Sequence, residues 1–211
     1  MRRILTLVLP VALAVCAGTP KTSATAAEAA AAPKADRPEV KVGDQWSYHC
    51  VDYFGVKSER LWVVTSVDPT GIRATENGQP LALSPDMNEV ESPRRKDTDR
   101  RLLSFPLAVD KQWNAEDKFS EHESKTGSEG TSKIHVNVTG YEKVRVGSGE
   151  FDAFKLKSMG DFSANNGTRS WVGTSQSTYW YAPGARAIVK IESSTGSAQA
   201  GCELVKLQLQ P

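Results

Sequence analysis

Little in this sequence offers bond-breaking chemistry. It holds three histidines, His49, His122 and His135, and no two stand at an interval that a metal site uses. A serine nucleophile needs a strained turn and a nearby base, but Gly173-Thr174-Ser175-Gln176-Ser177 lacks the second glycine of a nucleophile elbow. There is no glycine-rich phosphate loop, so neither a metal nor another cofactor is expected. Charge of one sign is also missing. The chain has 26 basic and 25 acidic residues, a balance that gives no footprint for nucleic acid. The one long apolar run is Ile4 to Ala14, too short to span a bilayer, where about 20 residues are needed. No internal repeat occurs.

That apolar run is most of an export signal. Arg2 and Arg3 supply the positive start, and Ala24-Thr25-Ala26 supplies the small-residue cleavage pattern, so residues 1–26 are expected to be removed and the mature protein to be periplasmic or secreted. Leu13-Ala14-Val15-Cys16 is a near miss to a lipoprotein box, with Val15 where a small residue is wanted; a lipid anchor on Cys16 is the alternative. Processing takes away Arg2, Arg3 and Lys21 and leaves a net charge of about −2. Residues 27–38, rich in Ala, Pro, Lys and Glu without apolar periodicity, read as a disordered spacer. Residues 39–211 are long enough for one domain with its own core.

After processing two cysteines remain, Cys50 and Cys202. In an oxidising compartment an even pair predicts a disulfide.

The stretches between turns have period two. Trp46, Tyr48 and Cys50 alternate with Ser47, His49 and Val51; Asn77-Gly78 predicts a hairpin, and Gly147-Ser148-Gly149 a tight return from a long strand broken at Gly140. Pro85 to Arg101 loses the pattern and reads as irregular, with room for one helical turn; Lys125 to Ser132 reads as a flexible loop. The expected fold is all-β: an antiparallel sandwich or a strongly curved half-barrel sheet of about ten strands.

Six turn-plus-strand pieces occur in order: Gly43-Asp44-Gln45-Trp46-Ser47-Tyr48, Tyr141-Glu142-Lys143-Val144, Gly149 to Lys155, Tyr179-Trp180-Tyr181-Ala182-Pro183-Gly184, Val189-Lys190-Ile191-Glu192 and Glu203-Leu204-Val205. Together they resemble the exported bacterial proteins of unknown function called TapB-like. The resemblance implies an exported all-β domain akin to the half-barrels that carry lipids or lipoproteins. It transfers no catalytic residue.

Two clusters stand out as binding candidates. The aromatics Trp171, Trp180 and Tyr181 could form a platform for an apolar ligand, against the simpler reading that they pack the core. The cations Arg94, Arg95, Lys96, Arg100 and Arg101 could hold an anionic group, diluted by Asp97 and Asp99. Glu116, Asp117, Glu121 and Glu123 read as a solvated face. The expected function is non-catalytic: an exported binding or envelope-accessory domain whose partner is a lipid or other amphiphile, or an envelope protein. The alternatives are a protein-interaction module and a hydrolase using carboxylates such as Asp152 or Glu192.

Overall fold

The computed structural model describes residues 33–122 and 127–211. The expected signal, Cys16, residues 27–32 of the spacer and Glu123 lie outside them. Among the described residues there are fourteen strands: β1 (Lys34–Ala35), β2 (Gln45–Val51), β3 (Lys57–Asp68), β4 (Gly71–Glu76), β5 (Gln79–Leu83), β6 (Glu89–Glu91), β7 (Arg95–Asp97), β8 (Leu107–Ala108), β9 (Gln112–Glu121), β10 (Ser128–Val146), β11 (Gly149–Asn165), β12 (Ser170–Ala182), β13 (Ala187–Thr195) and β14 (Ala198–Gln208). A single 3₁₀ turn, Pro183–Ala185, interrupts them.

Twelve of these strands form one closed antiparallel barrel, in which each strand pairs with its neighbour along the chain and β14 returns to β2. The sandwich and the half-barrel are therefore corrected to a closed barrel. Closure removes the free edges that an open sheet would leave. β1 and β8 make a separate two-stranded sheet. Ala35 is buried there and β1 pairs with Leu107–Ala108, so the folded unit includes part of the stretch read as spacer.

The turns follow the local chemistry. Asn77 and Gly78 both take positive φ, 51° and 82°, as a two-residue hairpin turn of matching twist requires. The break read at Gly140 is a register shift between Val138 and Gly140. Two expectations fail. Pro85 to Arg101 holds no helical turn but the three-residue strands β6 and β7, and β10 begins at Ser128 inside the supposed loop.

The β2–β14 seam joins the two ends of the folded chain. Cys202 lies directly opposite Cys50, and the two form a disulfide with Cα atoms 4.0 Å apart. At the far end of the seam the buried Asp44 carboxylate accepts hydrogen bonds from the backbone N–H of Lys41 and Gln210 and from the Arg186 guanidinium at 2.9 Å. Trp46, fully buried, donates its indole N–H to the Ala185 carbonyl. Gly43 and the residues after it, which open the TapB-like resemblance, thus clamp the barrel shut.

Candidate functional site

Residues opposite one another on paired strands share a face, so the lumen can be followed around the barrel by register. Tyr48 faces Arg60, Trp62 faces Glu76, Asp97 faces Phe119, Asp117 faces Ser132, and Tyr179 faces Ile191. The connection from β7 to β9 adds Leu102, Leu103, Phe105 and Leu107 to the core, with Phe105 edge-on to Tyr181 at 5.2 Å. Asn88 holds this connection in place: its amide donates to the Leu103 carbonyl and accepts from the Leu103 N–H.

Beneath the rim made by the β6–β7 turn and the end of β9 the lumen is unfilled. The cavity has a volume of about 280 Å³, and its walls include Arg60, Arg94, Arg95, Arg100, Glu89, Glu121, Trp62 and Tyr179. Next to it lies a recess of about 70 Å³ bounded by Tyr48, Trp62, Met87, Leu103, Ile188, Ile191 and the disulfide. A register shift between Trp180 and Tyr181 on β12 accounts for both isoleucines: Ile188 pairs with Tyr181 and Ile191 with Tyr179. One compartment is charged and the other apolar, and they share Arg60, Trp62, Met87, Ile188 and Ile191.

The charges are organised in depth. Arg94 pairs with the buried Glu76 at 2.7 Å, and Glu76 also accepts the Trp62 indole N–H. Arg95 binds Asp97 at 2.7 Å and Glu121 at 3.1 Å and lies 4.0 Å over the Phe119 ring. Behind it, Asp97 and Asp117 share a hydrogen bond. Burial opposes ionisation of Asp97, but hydrogen bonds from Arg95 and Asp117 and the charges of Arg95 and Arg100 outweigh it and hold its carboxyl below the ordinary range. Burial and the hydrogen bond to Asp97 push Asp117 above that range, against the pull of Ser132 and Arg95. The two carboxyls are thus pushed in opposite directions, and Asp97 ionises more readily than Asp117. Burial works against the Arg100 charge as well, yet Tyr179, Glu89, Asp97 and Asp117 reverse that and raise its pKa.

Of the five cations singled out in the sequence, the fold turns Arg94, Arg95 and Arg100 into the cavity. Lys96 and Arg101 face solvent, paired with Glu91 and Asp99. The aromatic trio is not brought together. Trp171 and Tyr181 stand ten residues apart on β12, about 33 Å along a strand. Tyr181 is packed in the core, while Trp180, 6% exposed, points the other way, donating to Glu142 and covered by Lys155 and Lys190. Sequence reasoning missed Arg60, Trp62 and Tyr179 in the cavity wall and misplaced Asp117. The Asp117 signal was present: Ala115, Asp117 and Phe119 alternate with Glu116 and Lys118, and the first three are buried. Asp152 and Glu192 are exposed and paired with Lys143 and Lys190. His49 sits beside Glu59 on the exterior, and His135 contacts Asn114.

No family model matches the chain, and no curated protein is similar to it. Solved structures share its fold. A candidate exported protein with a YmcC-like fold from Bacteroides fragilis superposes with a TM-score of 0.51 at 14% identity, covering 82% of this chain and 99% of that one. A candidate lipoprotein from Parabacteroides distasonis gives a TM-score of 0.54 at 14% identity, with the same coverage. The barrel described above thus shares its fold with a protein described as YmcC-like.

Proposed function

We propose that this protein is an exported, non-catalytic envelope protein that houses a small amphipathic ligand in its barrel lumen. The observation that carries the reading is the charged cavity backed by an apolar recess, with Arg60, Trp62 and Ile191 common to both. Ligand sites are typically concave and largely apolar, with a few fixed polar groups, and this cavity is at the small end of their size range. A two-chain lipid does not fit it. Export is supported by the signal pattern of residues 1–26 and by the disulfide, which belongs to an oxidising compartment. The descriptions of the two structural neighbours, one as exported and one as a lipoprotein, point the same way, as does the resemblance to TapB-like proteins. Cys16 is the residue through which a lipid anchor would attach.

A hydrolase would need two acids of separated pKa open to substrate. Asp97 and Asp117 have the separation, but both are buried, with Arg95 between them and the cavity as their ion-pair partner. Native mass spectrometry of protein isolated from its own envelope tests the proposal. A non-covalent adduct of a few hundred daltons, released on unfolding, is the expected result; a protein free of any adduct that also fails to bind short amphiphiles added in excess would overturn it.

A further inference from the structure

We infer that the lumen is selective for an anion-headed amphiphile of about a dozen non-hydrogen atoms, with its anion on Arg100 and its apolar end in the recess beside Trp62 and Leu103. The inference rests on the lumen-binding reading and adds the ligand's charge and length.

The first argument is the sign of the surface that a ligand would touch. Four arginines line the cavity against two carboxylates, Glu89 and Glu121. The acids that balance this excess, Glu76 and Asp97, are buried behind the arginines they bind. The surface that an entering group touches therefore carries a net positive charge.

The second argument separates the arginines by the work each already does. Arg94 and Arg95 are fixed in ion pairs with Glu76, Asp97 and Glu121. Among the described residues, no carboxylate stands within ion-pair distance of Arg100, although Glu89, Asp97 and Asp117 act on it from farther away. A guanidinium stays charged at any ordinary pH and can grip a carboxylate or phosphate through two parallel hydrogen bonds. A ligand anion would supply the direct partner that the fold leaves out. The third argument is the recess. It has no charged wall except Arg60, and the rest is formed by Tyr48, Met87, Leu103, the isoleucines and the disulfide, a largely apolar lining that suits a short alkyl or aryl end.

The test titrates the folded mature protein, freed of endogenous ligand, with hexyl phosphate, 1-hexanol and inorganic phosphate, following affinity by calorimetry and occupancy by the Trp62 indole N–H resonance. Hexyl phosphate is expected to bind at least about tenfold more tightly than either of the others, and Arg100→Gln to lose at least about tenfold for hexyl phosphate while hexanol binding is unchanged. Equal affinity of the variant and the parent for hexyl phosphate overturns the assignment of the anion to Arg100. Inorganic phosphate binding as tightly as hexyl phosphate overturns the amphiphile, and hexanol binding as tightly overturns the anion. In that last case the lumen reading survives, since the Trp62 signal still moves. If no probe moves it, the lumen reading itself fails. Should Arg100→Gln not fold, salt decides the charge question: hexyl phosphate affinity that falls with ionic strength supports the inference, and affinity that does not change sinks it.

Discussion

At the end of the barrel where β2 begins and β14 finishes, the lumen is filled by Trp46, Val64, Ile72, Leu81 and Leu83, all nearly inaccessible. Toward the opposite rim, the same pleat and the same strands turn Arg60, Glu76, Arg95, Asp97 and Asp117 inward and leave a void among them. Burying large apolar side chains returns about 25 cal/mol for each Å² removed from water, whereas buried ion pairs roughly break even against apolar packing and are costly to break singly. The difference teaches where this fold keeps its stability and where it tolerates a cost. One end packs; the other holds charge in position around space.

The largest expected effect comes from the link that ties the first barrel strand to the last. The Cys50–Cys202 bond closes a separation of 152 residues across the seam, and chain-entropy arithmetic puts its contribution at up to about 5 kcal/mol. Denaturant unfolding with and without reductant measures it. A midpoint that does not shift would mean that the Asp44 clamp alone holds the seam.

Next comes the charged end. Asp97→Asn removes the anion that Arg95 grips, leaving a desolvated guanidinium short of its nearest partner, and is expected to cost about 4 kcal/mol. At the packed end Leu81→Ala, in a side chain 2% exposed, is expected to cost about 3 kcal/mol through lost transfer energy and the cavity left behind. Comparing the two by urea unfolding sharpens the contrast. If Asp97→Asn proves far cheaper than Leu81→Ala, the ion pairs near the rim are exchangeable decoration and the ends differ less than their chemistry suggests.

Much of this fold is legible in the sequence. Asn77-Gly78 named its hairpin, Gly140 its bulge, and the cysteine pair its bond, because each depends on chemistry within a few residues or on simple parity. Closure was not legible. It rests on β14 finding β2 from the other end of the chain, and nothing local says whether the last strand meets the first or stops short of it. β6 and β7, at three residues each, are too short to show alternation, so the segment carrying Arg94 and Arg95 read as irregular. Asp117 was misread for a different reason. Its period-two neighbours Ala115 and Phe119 mark it as inward, but the surrounding carboxylates suggest a solvated face, so composition and parity point in opposite directions there. The aromatic trio shares no surface, because Trp180 neighbours Tyr181 in sequence and takes the opposite face while Trp171 lies ten residues away along β12.

The smallest effect is the sharpest, because it distinguishes two carboxyls joined by one hydrogen bond. Burial and the neighbouring Asp97 disfavour a second anion at Asp117, so Asp117→Asn, an amide of the same shape, relieves that penalty and is expected to change stability at neutral pH by less than about 1 kcal/mol. The pH profile separates the partners. With its folded pKa above the unfolded value, Asp117 makes the native protein bind more protons than the unfolded chain, so stability falls as pH rises from the ordinary carboxylate range to that raised value. Asp97 has the opposite sign: its contribution is present above the ordinary range and lost as pH falls through its lowered folded pKa. Asp117→Asn should therefore erase the loss on the rising side and leave the acid limb in place. Unfolding free energies measured across the acid range decide it, and a variant as damaged at neutral pH as Asp97→Asn would show that the fold favours the anion on Asp117 instead.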